Sequence, residues 1–301
     1  MYDLIIVGGG PAGMTAALYA KRAGKNVLLL EGEFCGGQIT KSRGVENYPG
    51  LPNVNGMDLA EAMLSQIREL KVEVRSALAD GLRPTDEGYE VLMGKTSEMA
   101  RAVILATGLR HRTLDVKGEQ EYIGRGVSFC AVCDGAFFRK KEVAVVGGGN
   151  TAIQDALYLS ELCSKVYLIH RREGFRAEEK LLARARETEN IVFLTNTVVK
   201  EIHGEMIMQG VTVENTKSGE SERLAVSGLF EAVGQIPQNA AFADVVALDE
   251  DGYFLAGEDC KTNLAGVFAA GDCRRKTVRQ LTTATADGTV AALAALAYLE
   301  E

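Results

Sequence analysis

Tryptophan is absent from this chain, and proline is scarce: 5 among 301 residues, against 33 glycines. Few prolines leave long elements uninterrupted, while many glycines mark places where backbone must approach something closely. Histidine is limited to 3 scattered residues. They do not supply the further ligands that a zinc reading of any cysteine pair would need, so no metal is expected. Basic residues are outnumbered 33 to 41, giving a net charge of −8 and a pI near 5.2. That balance argues against nucleic acid or a polybasic membrane surface as partner. No apolar run reaches the roughly 18 residues of a membrane span; the Ala291–Leu299 stretch is too short and reads as a packed helix. No basic segment or cleavage site precedes the first apolar run, Tyr2–Val7. The six cysteines (Cys35, Cys130, Cys133, Cys163, Cys260, Cys273) are therefore expected in a reducing cytoplasm, where a close pair is catalytic or metal-binding more often than a staple.

What is present is an internal repeat. Residues 3–31 read DLIIVGGGPAGMTAALYAKRAGKNVLLLE, and residues 142–172 read EVAVVGGGNTAIQDALYLSELCSKVYLIHRR. Aligned, Gly8 meets Gly147, Gly10 meets Gly149, and Ala17, Leu18 and Tyr19 meet Ala156, Leu157 and Tyr158. Each copy runs from an apolar β-branched stretch through glycines into a helical apolar period and then a second apolar stretch. This is the βαβ unit that opens a Rossmann domain, with the glycines admitting a pyrophosphate to the positive end of the helix.

The copies differ where the ribose is read. The first ends at Glu31, a carboxylate that accepts from ribose hydroxyls and repels a 2′-phosphate. The second ends at His170, followed by Arg171, Arg172 and Arg176, whose guanidinium forks suit a phosphate dianion. The first site is expected to hold an unphosphorylated adenine dinucleotide and the second NADPH. Two distant segments add to the first site and point to FAD. Ala102–Leu105 runs into Ala106-Thr107-Gly108, and Gly266–Gly271 ends at Asp272 ahead of a helix expected from about Gln280 through Ala297. The predicted fold class is thus α/β with two Rossmann-like domains, the NADPH domain inserted into a discontinuous FAD domain. The expected boundaries are 1–110 and 240–301 for the FAD domain and 111–239 for the insert, with crossings near Leu109–Arg112 and Gly234–Asn239 forming a two-stranded linker.

Just ahead of the second glycine turn stands Cys130-Ala131-Val132-Cys133-Asp134. A CxxC can open and close as a disulfide, and Asp134 can exchange a proton with a leaving thiolate if its surroundings raise its pKa. A flavin links hydride donors to thiols, because it accepts from one and can reduce the other. Three readings follow: reduction of a thioredoxin-like protein, a flavin dithiol oxidase or peroxide-system reductase on the same core, and a non-catalytic redox sensor. Because the CxxC shares the NADPH domain while both need the flavin, a domain rotation is expected between half-reactions.

Over its whole length the chain resembles the low-molecular-weight thioredoxin reductases. The motifs are Gly8–Gly13, Gly36-Gly37-Gln38, Glu46–Gly50, Cys130–Gly135, Gly147–Ala152, His170–Arg176, and Gly271-Asp272 with Arg279-Gln280. The resemblance implies FAD contacts from Gly8, Gly10, Pro11, Ala12, Gly13 and Glu31, from Gly37, Gln38 and Asn47, and from Asp272 and Gln280. Thr107, Gly108, Gly271 and Arg279 are counted with them. It implies NADPH contacts from Gly147, Gly149, Asn150, Thr151, Ala152, His170, Arg171, Arg172 and Arg176. Asp134 matches the acid–base carboxylate, Cys133 the flavin-side sulfur, Cys130 the sulfur that meets the outside substrate, and Arg125 and Phe137 positions used to dock thioredoxin. A homodimer is also expected from the family. The chain departs from the family pattern at Val132 (commonly Thr), at Gln154-Asp155 (commonly a Glu pair) and at Ala136 (often aromatic).

Overall fold

Two separate chain segments, Met1–Arg110 and Ile236–Glu301, make one unit, and His111–Gln235 makes another. This is the arrangement in a computed structural model that describes residues 1–42 and 44–301. The second unit ends at Gln235 rather than at 239, because Asn239 is fully buried in the first unit. Its amide donates to the carbonyls of Gly252 (2.9 Å) and Cys273 (2.8 Å), and its Oδ1 accepts from Thr107 Oγ1 (2.7 Å). A paired strand at each crossing, Leu109–His111 and Gln235–Pro237, forms the linker.

In the first unit a sheet runs in the order Glu73–Ser76, Val27–Glu31, Tyr2–Val7, Thr96–Leu105. All three of these neighbouring pairs are parallel. The long strand Thr96–Leu105 has two partners on its other side. Gly88–Met93 lies antiparallel to its first half, and Val267–Ala269 parallel to its last residues. Leu4, Ile6, Leu29 and Ile104 face one core and Ile5, Leu28, Leu30 and Val103 the other, as a sheet covered on both faces requires. The helix Pro11–Arg22 begins with proline at its first position, where the missing N–H costs nothing.

The C-terminal helix spans Leu281–Glu300, with Gln280 as its cap and Thr283 completing a capping box. It runs past the expected Ala297, because Leu299 continues the buried spacing of Ala284, Ala291, Ala292 and Ala295. A Cβ at Gly288 would stand 2.2 Å from the carbonyl oxygen of Ala12, so only glycine lets this helix lie against the start of Pro11–Arg22.

The second unit repeats the plan. Ile191–Thr195, Lys165–His170, Glu142–Gly147, Gly228–Ala232 and Val127–Ser128 form an all-parallel sheet in that order. One face packs on the helix Asn150–Ser160, the other on an antiparallel sheet of Thr197–Gly204, Met208–Asn215 and Ser221–Leu224. The strand order reverses beside Tyr2–Val7 in the first unit and beside Glu142–Gly147 in the second, and it is outside the carboxyl ends at such a switch point that open α/β sheets bind ligands.

Candidate functional site

The two glycine turns are built alike, residue for residue. Gly8 has φ +108°, and a Cβ there would lie 2.2 Å from the Ala106 carbonyl oxygen; a Cβ at Gly147 would lie 2.5 Å from that of Ala232. The first glycine thus lets the turn press against the neighbouring strand's end. Third-position packing differs slightly: Gly13 faces the Gly8 carbonyl at 1.8 Å from a would-be Cβ, while Ala152 fills that place in the other turn. Between them, Gly10 and Gly149 have no atom within 4 Å of a would-be Cβ. Each turn therefore presents bare backbone to an open cradle at a helix start, where a dinucleotide pyrophosphate fits. Pro11 and Ala12 begin one helix, and Asn150 and Thr151 the other. Asn150 is held by a reciprocal pair with Glu178, donating from Nδ2 (3.0 Å) and accepting the Glu178 N–H (2.8 Å).

At the ribose end the units diverge. Glu31 Oε2 accepts from the Gly9 N–H at 2.7 Å, and its other oxygen from the Glu33 N–H at 2.9 Å, which fixes the carboxylate beside the first cradle. His170, in the equivalent place, lays its ring against Gly148 and stacks on Phe175 at 4.8 Å, with Nε2 3.1 Å from the Gly174 carbonyl. Burial, together with Arg171, Arg172 and Arg176, lowers the pKa of this imidazole. His170 is thus a neutral filler under the loop, while the three arginines stand exposed around it. The Arg176 N–H donates to the Gly148 carbonyl at 2.8 Å, which ties the basic loop to the glycine turn.

The remaining expected flavin residues all lie in the first unit. Gly37 approaches Gly10, and Gln38 Nε2 donates to the Leu109 carbonyl at 3.1 Å. Asn47 Nδ2 donates to Gln280 Oε1 at 3.2 Å. Thr107 is bonded to Asn239, and Gly108 takes a positive φ (+68°) at the end of the strand turn. Gly271 closes on Ala12, Asp272 follows it, and Arg279 stacks on Tyr253 at 4.2 Å while donating to the Asp272 carbonyl. Sequence residues far apart in the chain are thus gathered around one cradle.

Cys130 and Cys133 form a disulfide in the second unit, half-buried at the start of a helical turn, Ala131–Asp134. The Cys133 N–H points at Cys130 Sγ from 3.2 Å, so a thiolate on Cys130 is the better stabilised of the two. Asp134 Oδ2 accepts from Ser128 Oγ at 2.5 Å, and the same oxygen of Ser128 accepts from the Cys130 N–H at 3.1 Å. Ser128 is buried and locks the carboxyl to the dithiol's own backbone.

Residues 2–288 match the family described as Pyridine nucleotide-disulphide oxidoreductase. The chain belongs to that family. It is 43% identical to the thioredoxin reductase of Listeria monocytogenes over 302 residues, covering 100% of this chain and 95% of that one. It is 43% identical over 305 residues to a bifunctional thioredoxin reductase/thioredoxin of Mycobacterium leprae, covering all of this chain and 66% of that protein. The crystal structure of thioredoxin reductase from Streptococcus pyogenes superposes with a TM-score of 0.97 at 40% identity, covering 100% of this chain and 98% of that one. The family resemblance and the two-domain Rossmann-like fold read from the sequence are borne out.

For this member of the pyridine nucleotide-disulphide oxidoreductases, two of the three departures from pattern, Val132 and Ala136, flank the dithiol. Val132 is 51% exposed and Phe137 39% exposed, so the surface beside the disulfide is apolar; Ala136 is half-buried and Arg125 exposed. Gln154 is exposed, while burial pushes the neighbouring Asp155 carboxyl up to about 7. Cys35 sits near Gly9 and Glu31, at the ribose end of the first cradle, and its thiol pKa is raised by burial and then by Glu31. Ser128, which holds Asp134, and Asn239, which holds Thr107, have no expected site role in the sequence. Only Ser128, two residues ahead of the first cysteine, offered a local hint.

Proposed function

We propose that this protein is an NADPH-dependent, FAD-containing thioredoxin-disulfide reductase whose Cys130–Cys133 pair reduces a thioredoxin-like protein. The observation that carries the proposal is the Cys130–Cys133 disulfide with its Ser128–Asp134 clamp, set in the same unit as the open Gly149 cradle and the exposed arginines. Glu31, Asp272 and the cradle at Gly10 suit FAD; Arg171, Arg172 and Arg176 suit the 2′-phosphate of NADPH. When bound, the flavin supplies acceptance of a hydride and delivery of an electron pair to a disulfide.

The chain's own work is then thiol chemistry. An electron pair breaks the Cys130–Cys133 S–S bond, leaving one thiolate and, after uptake of one proton, one thiol. The Cys130 thiolate attacks the partner's disulfide and forms a mixed disulfide, releasing a partner thiolate that takes a proton. Deprotonated Cys133 attacks Cys130 Sγ, re-forms the internal disulfide and frees the reduced partner. Asp134 gives and takes the proton at the sulfur, and Ser128 holds its carboxyl for the task.

The relative from Mycobacterium leprae, whose name pairs the reductase with thioredoxin, supports a thioredoxin-like partner. The exposed Val132 and Phe137 are the apolar surface such a partner would cover. Among the described residues no helix is long and apolar enough to cross a membrane; we assign the protein to the cytoplasm. The thioredoxin reductase resemblance supports a homodimer. Because flavin residues and dithiol belong to different units, the linker strands are assigned as a hinge that presents nicotinamide and disulfide in turn.

Purified protein, NADPH and a panel of thioredoxins test the proposal. Consumption of NADPH should need both a thioredoxin and Cys133, and Cys133→Ser should reduce it to background. Oxygen-coupled NADPH use that ignores thioredoxin would favour the oxidase reading instead. Fluorescent labels on exposed positions in each unit, such as Glu250 and Met206, should show two distances during turnover; one fixed distance would rule out rotation.

A further inference from the structure

Beneath the expected flavin residues lies a buried ionic cluster that neither turn motif includes. Asp287, on the C-terminal helix, has a side chain 9% exposed and receives four donors. Arg274 grips it with two, Nε to Oδ2 at 2.8 Å and Nη2 to Oδ1 at 2.7 Å. The Gly271 N–H donates at 3.0 Å and Lys276 Nζ at 3.1 Å. Lys276 is itself only 8% exposed, and a buried ammonium persists only where its protons are spent on acceptors. Two hydrogen bonds take its protons, to Asp287 Oδ2 and to Thr283 Oγ1 at 3.3 Å, and Asp272 Oδ1 makes an ion pair with it at 3.2 Å. Thr283 is the residue that closes the capping box with Gln280, accepting the Gln280 N–H at 3.1 Å. One ammonium therefore joins Asp272 and, through Thr283, Gln280, which are two residues expected to touch the flavin.

We propose that Lys276 is a positioning residue of the flavin site: its buried ammonium keeps the Asp272 carboxylate ionised and aimed, and locks the Gln280 cap beside it. This inference rests on the flavin reading of the first unit. Asp272 needs such a partner. Burial is the largest influence on its carboxyl and raises its pKa, and Lys276 is the strongest group pulling it back. The charged and titratable groups that face it are Lys276, Arg279 and Asp287, with Tyr253 and Cys273 beside it. Arg279 is committed to the face of Tyr253 and to the Asp272 carbonyl, and Asp287 acts against ionisation. With Lys276 removed, Asp272 keeps its burial and a second carboxylate beside it without its strongest counter-charge, so its pKa rises further and it takes up a proton more readily. A protonated Asp272 is a poorer acceptor for a flavin hydroxyl.

The test is FAD release from the holoenzyme, followed by flavin fluorescence at pH 6 and pH 8.5. Wild type and Lys276→Arg, which keeps the charge, should release FAD at nearly the same rate at both. Lys276→Met should release it about tenfold faster at pH 6 than at pH 8.5, the effect of roughly one pKa unit's worth of interaction. Lys276→Gln keeps an N–H donor without charge and serves if the methionine variant does not fold. It should show the same pH dependence, and loss of that dependence in Gln would mean geometry alone matters and overturn the charge assignment. Yellow Lys276→Met protein whose FAD release is as insensitive to pH as wild type overturns the proposal. Wild-type protein that binds no flavin at all overturns the flavin reading instead.

Discussion

The two glycine turns of this chain share a backbone plan and differ most where the second strand ends, at Glu31 in one and His170 in the other. Around Glu31 the second-strand end is itself the recognition group, a carboxylate fixed by the Gly9 N–H. At His170 the strand end lays a ring on Gly148, and the proposed recognition of a phosphate falls to the exposed Arg171, Arg172 and Arg176 beyond it. A carboxylate can reach a ribose hydroxyl from the strand; a phosphate dianion needs several forks arriving from a loop. The two turns thus share a cradle suited to a pyrophosphate, the part common to every dinucleotide. They differ at the ribose end, where one dinucleotide is told from another.

The sharpest way to break this comparison is to fill one cradle at a time. Gly10→Ala and Gly149→Ala each place a methyl in open space, so the fold should keep its thermal midpoint. Gly10→Ala should yield colourless protein, whereas Gly149→Ala should keep the flavin and raise KM for NADPH on the order of a hundredfold, about 2.7 kcal/mol. Equal loss of both cofactors from either variant would mean the turns are not independent sites.

Next in size is the arginine loop. Arg171→Ala with Arg172→Ala should raise KM for NADPH by about 10- to 100-fold and leave NADH nearly unchanged, as expected when charge-assisted bonds to one phosphate are lost. Steady-state kinetics with both donors decides it, and parallel changes would remove the basis for the NADPH assignment. A smaller effect is expected at the dithiol. Ser128→Ala frees Asp134 from its 2.5 Å donor, and should lower kcat about three- to tenfold while moving the pH profile. An unshifted profile would make Ser128 structural only.

The smallest effect on activity, though not on stability, is expected at Glu231. This residue is buried on the strand that presses against Gly147, and burial, then the neighbouring Glu119, pushes its carboxyl up to about 10 from an ordinary 4.5. The folded chain holds a proton here that the unfolded chain gives up. Stability from this group is therefore greatest below the ordinary carboxyl range and falls as pH rises toward the folded value. Glu231→Leu should raise stability at pH 8 by about 2–3 kcal/mol and flatten its decline with pH, with kcat unchanged. Urea midpoints that track wild type from pH 6 to 9 would contradict this.

Much of the site was legible because it is local. A CxxC followed by Asp134, a strand–glycine–helix repeated twice, and Glu31 against His170-Arg171-Arg172 are all consecutive or nearly so. The C-terminal helix lies within a few residues of its expected span and runs on to Glu300 because Leu299 packs into the core. His170, expected among the NADPH contacts, lays its ring against Gly148 under the loop. Asn239 lay in the expected linker and sits instead in the core of the first unit.

The sequence by itself determined the two nucleotide units, their insertion order and the chemistry of the dithiol, because glycine spacing, apolar period and cysteine pairing act between near neighbours. Only the tertiary structure decided how Asp134 is held, where Asn239 anchors and what neutralises the charge of Asp272 and Asp287. Those answers depend on burial. A lysine, an aspartate or a serine looks like an ordinary surface residue in a sequence, and it becomes a structural commitment only where folding removes water and leaves another side chain as its sole partner.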